Sequence, residues 1–329
     1  MSRTASAGRS GADPRRIGVL GAGGQLGRCL VRAIAAAPDL ELAFAPRHAE
    51  LDVADESAIA PWLDRPGAAR PDLVVNAAAH TKVDACESER ERAYAVNALG
   101  PAAWARTLAE RGLRFVHVST DYVFAGDGGR PYREDDATAP RTVYGASKRA
   151  GEVAVLGSHP GALVIRTSWV FGPGRNFVVA ILDQALKRVR GEVDGPLRVV
   201  DDQRGCPTYA ADLAEAILEI ARREAAPTLP RHGLLHLCNA DETTWFDFAR
   251  TILEVAGLDT VAIEPVPTSA YPTPAPRPAY SVLDCSRAGA AGLALRPHRE
   301  ALAAYLAGPD RPEILQELPD AHAACESPR

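Results

Sequence analysis

No stretch of this chain holds 18 or more consecutive apolar residues, so no membrane-spanning helix is expected. Cysteine is present but unorganised. Cys29, Cys86, Cys206, Cys238, Cys285 and Cys325 form no C-x-x-C pair and have no zinc-ligand spacing with histidine. That pattern argues against a disulfide framework and for free thiols in the cytoplasm. A positive excess is also missing. Lys and Arg number 37 against 42 Asp and Glu, for a net charge of −5 and a pI of about 5.9. This speaks against a nucleic-acid polymer as the partner. Residues 1–14 lack the apolar core of a secretory signal. Arg15-Arg16 superficially suggests twin-arginine export, but the run after it reads better as a strand entering a glycine turn.

What is there is the composition of a globular protein, 47% hydrophobic and 24% charged over 329 residues, long enough for two lobes. The apolar run Ile17-Gly-Val-Leu20 ends in Gly21-Ala-Gly-Gly24-Gln25-Leu26-Gly27, followed by apolar residues at helical spacing to Ala37. Strand, glycine turn and helix in that order suit a dinucleotide: glycines admit the pyrophosphate, and the helix start offers free N–H groups. The spacing is G-x-x-G-x-x-G, and a merely structural turn is the rival reading. After a second strand, Leu40 to Ala45, stands Arg47. An arginine there suits a ribose 2′-phosphate and so favours NADP(H) over NAD(H), with a solvated loop arginine as the alternative. Asp52, with Val53 beside it, is placed to meet the adenine edge.

A third strand runs from Pro71 into Asn76-Ala77-Ala78-Ala79-His80, small residues that let a backbone lie against a cofactor. His80 is either a ligand contact or a structural hydrogen-bonding residue. Thr81, Val83, Asp84 and Glu87 lead into a helix, and Asn97 lies on the next one. The strand Leu113 to Thr120 puts Ser119, Thr120 and Asp121 at its carboxyl end, where ligands bind in open α/β sheets. A helix over 142–155 carries Tyr144 and Lys148. Four residues apart on a helix, their side chains share a face. An ammonium beside a phenol lowers its pKa, bringing it towards acid catalysis of carbonyl reduction. The rival reading is an exposed helical pair. Further strands are expected at 161–170, 197–200 and 232–239, and helices at 210–222 and 244–256. The proline-dense stretch 265–278 reads as an ordered lid over a substrate rather than a linker, carrying Tyr271 and Arg277.

Alternating strands and helices predict an α/β protein, a Rossmann-type doubly wound parallel sheet with a smaller C-terminal substrate-binding lobe. The expected divisions are a flexible extension at 1–15, a dinucleotide-binding domain at 16–170 with returning segments near 197–240, a substrate lobe at 171–306 and a flexible tail at 307–329.

Taken together, Gly21 to Gly27, Asn76-Ala-Ala-Ala-His-Thr81, Ser119-Thr-Asp-Tyr-Val-Phe124, Tyr144-x-x-x-Lys148 and Arg166-Thr-Ser-Trp169 resemble the extended short-chain dehydrogenase/reductases. Asp202 to Thr208 and Pro267 to Pro278, followed by Ser281 and Leu283-Asp284, are similar to the dTDP-4-dehydrorhamnose reductase family within them. The resemblance covers about residues 16 to 306. It implies a catalytic triad of Thr120, Tyr144 and Lys148, acting with NADPH (or NADH) on the C4 ketone of a dTDP-4-keto-6-deoxyhexose. It also implies substrate contacts from Thr120, Asp121, Tyr122, Trp169, Asn176, Tyr271 and Arg277. Some family members bind Mg²⁺ at a dimer interface through an acidic residue two places after the third glycine. This chain has Cys29 there, so no metal is expected, while a homodimer stays compatible with the sequence. The rival readings are a related ketosugar reductase of secondary metabolism and a non-catalytic binding protein that kept the fold.

Overall fold

The computed structural model describes residues 14–223, 230 and 232–317. The first half alternates strand and helix: β1 (Arg15–Leu20), α1 (Gln25–Ala36), β2 (Leu40–Phe44), α2 (Glu56–Leu63), β3 (Leu73–Asn76), α3 (Val83–Ser88), α4 (Arg90–Tyr94), α5 (Gly100–Glu110), β4 (Arg114–Thr120), α6 (Val143–Ser158) and β5 (Leu163–Thr167). The second half is built from shorter pieces: β6 (Val170–Phe171), α7 (Phe177–Val189), β7 (Leu197–Val200), β8 (Arg204–Gly205), β9 (Thr208–Tyr209), α8 (Ala210–Arg222) and β10 (Gly233–His236). It closes with β11 (Thr243–Thr244), α9 (Trp245–Val255), β12 (Ile263–Val266), α10 (Ser286–Ala290) and α11 (His298–Ala307). Among the described residues, no helix is long and apolar enough to cross a membrane.

Six strands form a parallel sheet in the order β10-β5-β4-β3-β1-β2, so the expected doubly wound α/β architecture is borne out. β3 and β5 are buried along their whole length, which is why they read as unbroken apolar runs rather than alternating ones. Leu26, Leu30 and Ile34 of α1 and Leu213 and Ile217 of α8 cover one face. Ile59, Trp104, Leu108 and Val155 cover the other. The chain leaves β1 towards β2 on one side and returns to β3 on the other. The switch point therefore lies between β1 and β3, and the loops after these two strands flank a crevice at the carboxyl edge. Gly21 makes that closeness possible. Its φ is +78°, and a Cβ there would lie 2.5 Å from the Ala78 nitrogen.

The smaller lobe has its own core, with Leu182 and Leu186 of α7, Phe248 and Ile252 of α9, and Leu302 and Tyr305 of α11. Of the segment expected to return to the sheet near 197–240, the strand at 233–236 does so. Leu197–Val200 instead pairs in parallel with β12 in this lobe. The tail expected to be loose from residue 307 is docked through Leu315. Asp310 is buried, bonded by Arg32 at 2.6 Å and by the Tyr209 hydroxyl at 2.9 Å. Residues 1–13 and 318–329, with Cys325, lie outside the described residues.

α6 is held against the sheet by charge as well as by apolar packing. Glu152 on α6 and Arg166 on β5, both fully buried, make a two-pronged pair: Nε to Oε1 and Nη2 to Oε2, each 2.8 Å. The guanidinium also lies 5.0 Å over the Phe124 ring. Removing one partner strands a buried charge. Glu152→Leu is expected to cost about 3–5 kcal/mol in urea denaturation, and adding Arg166→Met is expected to restore much of that loss.

Candidate active site

Two local devices set the geometry at the carboxyl end of β4 and the start of α6. Thr120 ends β4, and its Oγ1 accepts the Tyr122 amide at 3.3 Å, capping the 3-10 turn Asp121–Val123. Thr142 caps α6 by accepting the Gly145 amide at 3.0 Å, and Glu87 takes the Val143 amide at 2.9 Å. With the helix start pinned, Tyr144 and Lys148 lie on one face, as their spacing predicts. Lys148 is buried and donates from Nζ to the Val118 carbonyl at 2.6 Å, which ties α6 to β4. The Tyr144 ring meets Tyr122 edge-on, with centroids 5.5 Å apart. The Thr120 hydroxyl neighbours the Tyr144 phenol and donates to Asp121 Oδ1 at 2.9 Å.

The electrostatics correct one expectation. Lys148 does not lower the Tyr144 pKa here. Burial dominates and pushes the phenol above its ordinary range, so it stays protonated. Lys148 itself is pushed down to about 8 by burial, against the pull of the Glu152 charge. Asp121 is raised to about 7 by burial, opposed by the neighbouring Ser281 and Thr120 hydroxyls.

A cavity of about 510 Å³ opens at the switch point. Gly21, Gly23 and Gly24 form one wall, Ala77, Ala78 and Ala79 a second, and Arg47, Asp52 and Val53 a third. Gly24 caps α1 with no side-chain acceptor, and the first turn of α1 carries no acid. Its amides are therefore left for an anion, and the open space over Gly23 admits one, so the site fits a dinucleotide diphosphate. Gln25, Leu26 and Gly27 do not line the cavity. Gln25 bonds the Arg175 carbonyl at 3.0 Å, Leu26 enters the core, and Gly27 lets α1 pass over Gly21, where a Cβ would lie 2.1 Å from the Gly21 oxygen. Asp52 accepts its own loop's Ala54 amide at 3.0 Å. His80, Arg92 and Val96 also line the cavity.

A second cavity, about 340 Å³, lies against Tyr122. Tyr271 and Arg277, both from the proline-dense stretch 265–278, line it. Trp169 does not. Held at φ +47°, it lies flat on Trp245, with centroids 3.5 Å apart, and Trp245 lines the cavity in its place. Asn176 is used up elsewhere. Its Oδ1 caps α7 at the Val179 amide, 3.1 Å, and its Nδ2 meets the Gly172 and Gly174 carbonyls and the Tyr305 hydroxyl. An Asn just before an apolar helical run is an N-cap signal that would have shown this role. Asn97 has a role that its place on a helix in the sequence does not signal. Buried in a π-helical turn, it bonds the His80 backbone on both sides, at 2.8 and 3.1 Å, and the Ser147 hydroxyl at 3.0 Å. It thus links the first cavity's wall to the helix of Tyr144 and Lys148.

Among the described residues, no group of three or more His, Cys, Asp or Glu is arranged to hold a metal ion. Cys29 is buried, its sulfur 3.7 Å from Asp310, and burial pushes its thiol up to about 12.

The chain matches the family model of the RmlD substrate binding domain over residues 15–309. It is 43% identical over 292 residues to dTDP-4-dehydrorhamnose reductase of Mycolicibacterium smegmatis, across 88% of this chain and 84% of that one. It is 44% identical over 292 residues to the probable dTDP-4,6-dihydroxy-2-methyloxan-3-one 4-ketoreductase of Streptomyces antibioticus, across 86% and 92%. The crystal structure of Bacillus anthracis dTDP-4-dehydrorhamnose reductase in complex with NADP superposes with a TM-score of 0.79 at 32% identity, covering 91% of this chain and 99% of that one.

Lys148 is charged below about pH 8 and neutral above it. Turnover that needs its ammonium falls as pH rises through that value. A profile of kcat/KM, which reports the free protein, is expected to bend near pH 8 and lose about tenfold per unit beyond it.

Proposed function

The chain belongs to the RmlD family of dTDP-4-dehydrorhamnose reductases, and we propose that the Thr120–Tyr144–Lys148 cluster is where it reduces the C4 ketone of dTDP-4-dehydro-L-rhamnose to give dTDP-L-rhamnose. The observation that carries this reading is the cluster's position. It touches the wall of the switch-point cavity through Asn97 and Ser147, and the second cavity through Tyr122.

NADPH, when bound, supplies the hydride to the ketone carbon. In this reading Gly21, Gly24 and the start of α1 hold its diphosphate, Arg47 meets its 2′-phosphate, and Asp52, Val53 and Ala77 to Ala79 flank it. Tyr144 delivers the proton to the ketone oxygen, and its raised pKa keeps it a donor at working pH. The Thr120 hydroxyl, now bonded to Asp121, turns to donate to that oxygen as charge develops on it. Lys148 stabilises the phenolate left on Tyr144. Tyr122, Tyr271 and Arg277 receive the nucleotide sugar, with Arg277 facing its diphosphate. Free thiols at Cys29, Cys86, Cys206, Cys238 and Cys285 support a reducing, cytoplasmic setting.

The Streptomyces relative, at similar identity, keeps a different dTDP-4-keto-6-deoxyhexose as the second reading. Identifying the product from a small panel of such sugars decides between them. Oxidation of NADPH with dTDP-4-dehydrorhamnose is the direct test, and absence of turnover sinks the reading. Tyr144→Phe is expected to lower kcat by about 10²–10⁴-fold with the fold intact. Arg47→Ala is expected to reduce the preference for NADPH over NADH by about tenfold or more, since a charge-assisted phosphate contact is lost. An unchanged cofactor ratio would show that Arg47 does not read the phosphate.

A further inference from the structure

The stretch Pro274-Ala275-Pro276-Arg277-Pro278 has few means of holding itself in place. Proline carries no N–H, so only Ala275 and Arg277 offer backbone donors here. The Ala275 amide goes to Asp84 Oδ1 at 3.2 Å. The other oxygen of the same carboxylate, Oδ2, takes Arg277 Nη2 at 2.6 Å. Arg277 Nη1 turns back to the Ala275 carbonyl at 3.0 Å. One carboxylate on α3 thus grips both the backbone of the loop and the head of its arginine, 193 residues away in the chain.

An ordinary surface ion pair between side chains 40% and 20% exposed contributes little. This one differs in what it holds. Arg277 lines the cavity beside Tyr122, and α3 follows the loop that walls the switch-point cavity. A guanidinium has five N–H donors. With one on Asp84 and one on Ala275, the others remain for a ligand. The Arg277 charge in turn holds the Asp84 carboxyl below its usual range, so the clamp stays ionised at working pH.

We propose that Asp84 is a positioning residue of the substrate site: by binding Ala275 and Arg277 together, it fixes the Arg277 guanidinium at the cavity for the diphosphate of the nucleotide sugar. The inference rests on the reading of Arg277 as the diphosphate partner. Asp84 acts through Arg277 and touches no substrate itself.

A double-mutant cycle on dTDP binding tests it, using the full chain as wild type, Asp84→Ala, Arg277→Ala and the double variant, with thymidine as the phosphate-free control. Arg277→Ala is expected to weaken dTDP about tenfold or more, and Asp84→Ala about three- to tenfold. Asp84→Ala is expected to add less than twofold once Arg277 is gone, because the two act as one unit. Thymidine and NADPH are expected to bind all four proteins alike. If Asp84→Ala weakens dTDP equally in both backgrounds, or not at all, or weakens NADPH and thymidine as well, the positioning role is overturned while the reading of Arg277 stands. If Arg277→Ala leaves dTDP binding unchanged, the diphosphate reading itself fails, and this inference falls with it.

Discussion

The buried pair between Glu152 and Arg166 is the interaction on which the site depends most. A long helix lying on a sheet by apolar contact alone can rotate or slide by a fraction of a turn at modest cost. Two parallel hydrogen bonds between a carboxylate and a planar guanidinium, both out of water, allow one arrangement. That arrangement sets the rotation of α6 about its axis. Lys148, one turn before Glu152, is thereby aimed at the β4 carbonyl of Val118, and Tyr144, one turn further, reaches Thr120 and Tyr122. The ion pair's contribution to stability is modest against an apolar substitute, but its directionality positions Tyr144.

Burial has opposite consequences for the two groups on that helix face. It keeps Tyr144 protonated and brings the titration of Lys148 down to about 8, so that the ammonium persists at neutral pH but with little margin. A phenol that holds its proton until negative charge appears on a nearby oxygen suits reduction, where the proton follows the hydride. A lysine near its titration point responds strongly to such charge, because little separates its two protonation states. The neighbouring Glu152 limits how far burial can lower it.

Strand order supplies the rest. Because the chain reverses direction across the sheet between β1 and β3, two loops diverge and leave a crevice at the carboxyl edge. The smaller lobe then places a second cavity beside Tyr122, and the cluster at the ends of β4 and α6 lies between the two. The lobe reaches back to the sheet domain through ion pairs, among them Asp310 on Arg32 of α1 and Arg277 on Asp84 of α3.

Features that depend on neighbours in the chain were legible in the sequence. The glycine turn needs residues without a Cβ at particular steps, the parallel strands must be apolar on both faces, and a four-residue spacing puts Tyr144 and Lys148 on one face whatever surrounds them. These determined the fold class, the cofactor edge and the pairing of Tyr144 with Lys148, while the triad with Thr120 came from the family resemblance. Tertiary structure alone decided what depends on distant residues. Trp169 turned onto Trp245 and away from the cavity, Asn176 was consumed as a cap, and the docked tail carried a buried Asp310. The direction of the Tyr144 shift also belonged to the folded state, since spacing reports a neighbour's charge but not the loss of water around it. Local geometry is written in local sequence, whereas burial and long-range pairing exist only once the chain has closed on itself.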